Sequence, residues 1–148
     1  MMKKIIVSIL ALSMAVAAMA QKWAPVGENI KSPWAEEINP AAPLPEYPRP
    51  QMVRADWMNL NGLWNYAITE ASAETFKADG QILVPFAVES SLSGVGRKIT
   101  KNDALWYERT FTLPRKWNGK NILLHFGAID WQAEVFVNGV LVGEHKGG

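Results

Sequence analysis

After residue 60 the chain consists of short segments in which apolar and polar residues alternate, separated by turn-forming residues. Residues 63–69 follow the turn Asn61-Gly62 and alternate with a period of two, which predicts a β-strand with its aromatic side chains on one face. Residues 81–84 predict a shorter strand that ends at Pro85, because proline cannot donate to a hydrogen-bond ladder. The polar residues between these two strands leave room for a short helical turn.

The same pattern continues to the end of the sequence. Residues 104–113 alternate and predict a third strand, and residues 121–126 are apolar enough for a strand that is buried on both faces. Residues 131–137 and 140–143 flank Asn138-Gly139, a dipeptide that favours a two-residue hairpin because both turn positions need positive φ. No amphipathic helix of convincing length follows residue 20. The pattern therefore predicts an all-β chain, most simply an antiparallel β-sandwich.

Two stretches are poor in regular structure. Residues 21–50 contain seven prolines and are interpreted as a lead-in, with residues 39–50 extended or polyproline-like on the surface, which leaves residues 51–148 as the β-domain. Residues 86–103 form a long loop that is rich in serine and glycine. A loop of this length inside a compact domain is a candidate functional loop.

The N-terminus has the features of a signal peptide. Lys3 and Lys4 precede an apolar run, and Ala18-Met19-Ala20 fits the small-x-small rule, which predicts cleavage before Gln21. The run is shorter than the ~20 residues that a spanning helix needs. The chain has no cysteine, which excludes disulfides and a lipid-modified cysteine. We therefore expect a periplasmic or secreted protein with no membrane contact after cleavage of residues 1–20.

Charge excludes one class of partner. Without the two leader lysines, 13 basic residues face 14 acidic ones, so the net charge of the remaining chain is −1. No basic stripe is left for nucleic acid.

The sequence contains no clear set of catalytic residues. The carboxylates show no activated pair of the kind that glycoside hydrolysis needs, and His125 and His145 lack a third ligand for a metal. The serines do not form a nucleophile elbow, and the glycines do not form a phosphate cradle. We expect no catalytic residue, no metal and no cofactor in this chain.

Carbohydrate binding has more support. Aromatic faces stack on sugar rings while polar neighbours select hydroxyl groups. Asp130 and Trp131 stand at a loop-to-strand junction, and Trp117 stands in a predicted turn where we expect it to be exposed. These three are the candidate substrate-binding residues, although an ordinary core role for the tryptophans is the simpler alternative.

Five motifs in collinear order resemble the N-terminal domain of glycoside hydrolase family 2, which includes β-galactosidases, β-glucuronidases and β-mannosidases. The resemblance covers residues 48 to 148. The motifs are Asn61-Gly62-Leu63-Trp64, Val84-Pro85-Phe86, Trp106-Tyr107-Glu108-Arg109, Phe126-Gly127-Ala128-Ile129-Asp130-Trp131 and Val137-Asn138-Gly139, and residues 143–148 resemble a Gly-x-His-x-Gly-Gly stretch of the family.

The resemblance implies a jelly-roll-like, galactose-binding-domain-like sandwich that precedes an immunoglobulin-like domain and a (β/α)₈ barrel. It also implies that the acid/base and nucleophile glutamates lie in the barrel, so no catalytic role transfers to this chain. Its partners would be an oligo- or polysaccharide and, within one polypeptide, the catalytic domain on which it packs. An acidic, sodium-associated residue of the family's β-galactosidases has no counterpart, since Gly147 stands there.

Three hypotheses about the function remain open at this point. The first is the non-catalytic N-terminal domain of an exported glycosidase, interrupted at Gly147-Gly148, where the family's sandwich would continue. The second is a free-standing carbohydrate-binding module, and the third is an inert gene fragment. The family's further strands lead us to expect the 148-residue chain to be marginally stable or to aggregate.

Overall fold

The computed structural model describes residues 23–147, and the predicted signal peptide, residues 1–20, lies outside them. The described chain is all-β, with antiparallel pairing throughout and no α-helix, so the predicted fold class is confirmed and is consistent with a β-sandwich. No helix among these residues is long and apolar enough to cross a bilayer. The strands are β1 (Gly62–Glu70), β2 (Gly80–Val84), β3 (Asp103–Glu108), β4 (Gln132–Val137) and β5 (Val140–Lys146). The short 3-10 turns are Pro33–Glu37, Pro50–Met52, Ser91–Ser93 and Arg115–Trp117.

Residues 23–109 form one compact unit around a three-stranded sheet with the order β2-β1-β3. In this sheet Leu63 lies opposite Leu83, and Ala67 lies opposite Trp106. Both faces are at least partly covered, because Ile82 and Leu83 are fully buried on opposite sides of β2. Successive residues of a strand point to opposite faces, so this sheet buries side chains above and below its plane.

Aromatic packing covers the face that carries Ala67. The ring of Phe76 stacks on that of Trp106 with 5.1 Å between their centroids. The indole Nε1–H of Trp106 donates to Thr69 Oγ1 at 2.9 Å, which satisfies the polar edge of a half-buried ring. Ala67, which lies opposite Trp106, is consequently only 1% exposed.

The connection from β1 to β2 contains a turn but no helix. The N–H of Ala73 donates to the carbonyl of Glu70 at 3.0 Å. Asp79 then fixes the start of β2, since its carboxylate accepts from the Ile68 N–H at 2.9 Å and its own N–H donates to the Tyr66 carbonyl at 2.8 Å.

The extended run predicted for residues 39–50 is wrong in part. A turn closes between Asn39 and Ala42, whose N–H donates to the Asn39 carbonyl at 3.0 Å. Pro43 is fully buried, and its carbonyl accepts from the side-chain amide of Asn61 at 3.3 Å. A partner distant in sequence therefore holds this segment against the unit, which local proline geometry does not predict.

The third strand was predicted over residues 104–113, but β3 ends at Glu108. Continued pairing would bring residues 109–113 alongside the start of β1. At that point the Arg109 guanidinium donates to the Leu60 and Asn61 carbonyls at 2.7 and 2.9 Å. The Arg109 side chain thus donates to backbone carbonyls at the end of the β1-β3 hydrogen-bond ladder.

Residues 110–147 form the second compact unit, in which β4 and β5 pair as the predicted hairpin. Asn138 and Gly139 have φ values of 51° and 78°, as the two-residue turn requires. The register shifts between Val135 and Phe136, which is a β-bulge or an equivalent irregularity.

The strand predicted for residues 121–126 does not form, and this prediction is wrong. Its side chains are exposed, with Leu123 at 69%. A strand buried on both faces needs neighbours on both sides, and within residues 110–147 the only sheet is the β4-β5 pair.

Candidate functional site

Trp131 and Asp130 lie immediately before β4, at the open end of the hairpin. The Trp131 side chain is 62% exposed and Asp130 is also exposed. The Trp131 carbonyl accepts from the Gly147 N–H at 2.6 Å, which ties the residue's backbone to the far end of β5. Among the described residues the indole is therefore a surface feature on an anchored backbone.

Polar residues lie at this end of the hairpin. The pairing places Lys146 opposite Gln132 and His145 opposite Ala133. A ring nitrogen of His145, Nε2, lies 3.1 Å from the carbonyl oxygen of Gly147. An exposed ring with carboxylate, ammonium and imidazole groups within a few residues combines a stacking surface with hydrogen-bonding groups of both polarities.

The expectation that Trp117 is exposed is wrong, because its side chain is only 9% exposed. The predicted turn does form, since the Lys120 N–H donates to the Trp117 carbonyl at 3.0 Å, but the N–H of Trp117 also donates to the Pro114 carbonyl at 2.9 Å and closes a preceding 3-10 turn. Its Nε1 is buried without a hydrogen-bond partner. A ring in this position cannot present a face for stacking on sugar.

The three candidates do not form one site. Trp117 lines an open depression of about 620 Å³ formed by residues 113–122, which does not include Asp130 or Trp131. Only Asp130 and Trp131 remain together, as sequence neighbours at the hairpin end.

The carboxylate of Asp103 has a structural role. Asp103 accepts from the backbone N–H and the hydroxyl of Thr100 at 2.7 and 2.9 Å, and these hydrogen bonds hold its pKa below the usual range. The group closes the long loop at the start of β3. Within residues 23–147 no group of three or more His, Asp or Glu side chains is placed to hold a metal ion.

One feature was missed from sequence. Residues 29–35 of the proline-rich lead-in face Ser90, Ser91 and Leu92 of the long loop across a cavity. The serine-rich composition marked the loop as a candidate, but no local signal linked it to a segment some sixty residues earlier in the chain.

Comparison with known proteins identifies a family and relatives to which this chain is similar. Residues 81–148 match the family model described as "Glycosyl hydrolases family 2, sugar binding domain". The chain is 32% identical over 91 residues to a β-glucuronidase of Streptococcus agalactiae, covering 61% of this chain and 15% of that protein. It is 32% identical over 109 residues to a β-glucuronidase of Paenibacillus borealis, covering 69% and 18%.

A β-galactosidase of Thermoanaerobacter pseudethanolicus is 44% identical to the chain over 99 residues, covering 63% of this chain and 13% of that enzyme. The chain thus spans less than a fifth of the length of each of these three curated relatives. The match to the family model over residues 81–148 includes the hairpin end with Asp130 and Trp131, and it also includes the long loop.

Proposed function

Because this chain belongs to glycosyl hydrolase family 2 through the sugar binding domain at its residues 81–148, we propose that it serves as the non-catalytic, carbohydrate-contacting N-terminal domain of an exported glycosidase. The reaction of the whole enzyme would be O-glycosyl bond hydrolysis by two carboxylates. The fold proposed for the domain is a jelly roll.

The exposed indole of Trp131 carries the proposal. It lies within the family match, it is 62% exposed, and Asp130 stands beside it as an acceptor for sugar hydroxyl groups. Burying an aromatic face against a pyranose ring removes apolar surface of both partners from water. The backbone tie between Trp131 and Gly147 lowers the ordering cost of that contact.

The substrate class follows from the relatives. They are named β-glucuronidases and a β-galactosidase, so β-glucuronides and β-galactosides are the sugars to test. Hydrolysis is proposed only for the whole enzyme, since family resemblance assigns the reacting glutamates to the barrel.

Binding is tested on a glycan array that carries β-galactosides and β-glucuronides, followed by calorimetry on each retained glycan. Trp131→Ala should abolish retention. Trp34→Ala is the matched control, because Trp34 is equally prominent at 69% exposed but lies outside the family match. Retention that survives Trp131→Ala, or that Trp34→Ala removes, contradicts the assignment.

The non-catalytic role has its own test. Purified chain is incubated with a nitrophenyl β-galactoside and a nitrophenyl β-glucuronide, and release of nitrophenol is followed. No release above buffer is expected. Turnover that resists repurification places catalytic groups in this chain and overturns the role.

Export is proposed from the leader sequence alone. Expression of the full coding sequence in a bacterial host, with fractionation and N-terminal sequencing, should yield periplasmic or secreted protein that begins at Gln21. Protein that stays in the cytoplasm with Met1 retained would contradict this.

A further inference from the structure

The chain contains three Asn-Gly dipeptides, at residues 61–62, 118–119 and 138–139. Asparagine is a chemically labile residue, and a following glycine exposes it most, because the glycine nitrogen has no neighbouring side chain to shield it. That nitrogen can attack the side-chain carbonyl carbon of the asparagine and close a five-membered ring. Since the three dipeptides share this local chemistry, the structure around each of them decides how fast it reacts.

Asn118 and Gly119 are the two central residues of an exposed turn. The Lys120 N–H donates to the Trp117 carbonyl at 3.0 Å, Asn118 has φ −58° and ψ 131°, and Gly119 has φ 76°, as in a type II turn. Within residues 23–147 neither the Gly119 N–H nor the Asn118 side-chain amide makes a hydrogen bond. A Cβ on Gly119 would meet no atom within 4 Å. The attacking nitrogen and the amide that it attacks are therefore both accessible.

Little backbone structure opposes ring closure at this turn. The ring requires rotation about the Cα–C bond of Asn118 away from its ψ of 131°, which breaks the hydrogen bond between Lys120 and Trp117. Residues 121–126, which leave the turn, are exposed and form no strand, so no sheet holds them in place. The loss of one hydrogen bond slows a reaction about tenfold at most.

The Asn61-Gly62 dipeptide is held by several contacts. The Asn61 amide donates to the carbonyls of Pro43 and Leu44 at 3.3 and 3.4 Å. Gly62 is buried at the start of β1, and a Cβ on it would lie 2.9 Å from Arg109 Nη1. Ring closure here would break two side-chain hydrogen bonds and displace the first strand.

The Asn138-Gly139 dipeptide is exposed, but it belongs to the β4-β5 hairpin. Val137 and Val140 pair with each other directly across the turn. Rotation at Asn138 therefore separates the paired ends of the two strands, a restraint that Asn118 lacks. The structure gives Asn138 an intermediate reactivity between those of Asn61 and Asn118.

We propose that Asn118 is a modification site, which converts to aspartate and isoaspartate by intramolecular deamidation. The Gly119 nitrogen gives its proton to solvent and forms a bond to Asn118 Cγ, while the side-chain nitrogen takes a proton from water and leaves as ammonia. Water then opens the succinimide ring. Opening at Cγ gives aspartate, and opening at the backbone carbonyl gives isoaspartate. The net reaction consumes one water molecule and releases one ammonia molecule.

The product differs from asparagine in charge and in chain length. A carboxylate replaces a neutral amide in the wall of the depression that Arg115 and Lys120 also line. In isoaspartate the main chain runs through the side chain and is longer by one carbon, so the type II geometry and the hydrogen bond between Lys120 and Trp117 are lost. The modification thus changes this surface without an enzyme and without any bound sugar.

The test follows deamidation at each dipeptide separately. The 148-residue chain is incubated at mildly alkaline pH, and samples are digested with pepsin at acidic pH, where further deamidation is slow. Mass spectrometry gives the converted fraction at each site, and an isoaspartyl methyltransferase with a labelled methyl donor detects isoaspartate. Asn118 should convert first, and Asn61 should convert at least about tenfold more slowly than Asn118. Equal rates at the three sites, or faster conversion of Asn138, overturn the proposal.

Incubation in guanidinium chloride separates the effect of the fold from that of the flanking residues. Unfolding removes the turn, the hairpin and the contacts of Asn61, so the three rates should converge. If the same order of rates persists in guanidinium chloride, the neighbouring residues and not the structure cause it, and the proposal is overturned.

Two matched variants identify the asparagine that reacts. Asn118→Gln should remove most of the isoaspartate formed early in the incubation, because glutamine would have to close a six-membered ring. Glutamine adopts φ −58° and ψ 131° without strain, so the variant keeps the turn. Asn138→Gln is the matched control in an exposed turn and should keep most of the isoaspartate. Isoaspartate that survives Asn118→Gln, or that Asn138→Gln removes, assigns the reaction to another asparagine and overturns the proposal.

Discussion

The guanidinium of Arg109 occupies the space in which a side chain of Gly62 would stand. A Cβ at Gly62 would lie 2.9 Å from Arg109 Nη1. The same nitrogen donates to the carbonyls of Leu60 and Asn61, and the guanidinium carbon lies 6.0 Å from the centroid of the Trp64 ring. The Arg109 side chain thus fixes the start of β1, and Gly62 leaves the space that this side chain occupies.

Gly62→Ala should destabilise the first unit by about 2–4 kcal/mol. Its φ of 130° lies in a region that costs a non-glycine residue about 1–3 kcal/mol, and the added Cβ also displaces Arg109. Urea unfolding followed by tryptophan fluorescence measures the loss. Gly80→Ala is the control in the same sheet, since its Cβ would meet only an ordinary 3.5 Å contact. Equal effects of the two substitutions would contradict the account.

Arg109→Lys should lower the stability of the same unit by about 1–3 kcal/mol, because the shorter lysine side chain does not bring its ammonium to the position of Arg109 Nη1 and has no planar group to lie against the Trp64 ring. Hydrogen exchange of the amides of residues 59–64 should accelerate. Arg54→Lys, at an exposed arginine, should leave both quantities unchanged. Unaltered exchange in the Arg109 variant would show that Arg109 does not hold the start of β1.

Two neighbouring serines should respond oppositely to alanine. Ser93 is fully buried and serves four backbone groups, so Ser93→Ala should cost about 1–3 kcal/mol. Ser91→Ala removes a buried hydroxyl with no partner and should be neutral or slightly stabilising. Thermal melts of the two variants decide the point, and a large loss in the Ser91 variant would show that its hydroxyl is structural.

Alkaline pH should weaken the first unit through two tyrosines. Burial, reinforced by Asp79, raises the pKa of Tyr66, and burial, reinforced by Glu89, raises the pKa of Tyr107. Above the ordinary value of 10.0 the unfolded chain releases these protons before the folded chain does, so stability falls as pH rises through that value. Urea midpoints between pH 9 and pH 11 measure the fall.

Replacing both tyrosines by phenylalanine should flatten that alkaline decline, because phenylalanine has no proton to lose. The variant leaves the apolar ring in place and so keeps most of the packing. A decline as steep as in the unaltered chain would assign the alkaline sensitivity to other groups.

The hairpin unit should drive self-association. Val140 and Val142 are 63% and 58% exposed on β5, and exposed apolar strands are a template for pairing with another chain. Val140→Lys with Val142→Lys should shift the sedimentation profile toward monomer. Ile30→Lys, which charges a single isolated apolar residue, should leave the profile as it was.

Local pattern predicted much of the strand content. The alternation of β1, the short run of β2 with the proline that follows it, and the Asn138-Gly139 turn are properties of consecutive residues, and each appears in the structure within one residue of its predicted position. The family motifs likewise identified the relationship that comparison confirmed.

Burial was less predictable, and the candidate site depended on it. Trp117 and Trp131 were both candidate binding residues from sequence, yet a 3-10 turn folds Trp117 inward while Trp131 stays on the surface. The run 121–126 is apolar, but apolar residues form a buried strand only where neighbouring strands accept them.

The sequence by itself determined the period of the strands, the hairpin turn and the family, because backbone geometry and turn φ depend on residues adjacent in the chain. Only the tertiary structure decided where β3 ends, which tryptophan is exposed and that Ser91 faces the lead-in across a cavity. Each of these depends on groups distant in sequence, such as the Arg109 guanidinium on the Leu60 carbonyl. Solvent exposure and hydrogen-bond satisfaction are set by those distant neighbours and not by the local pattern.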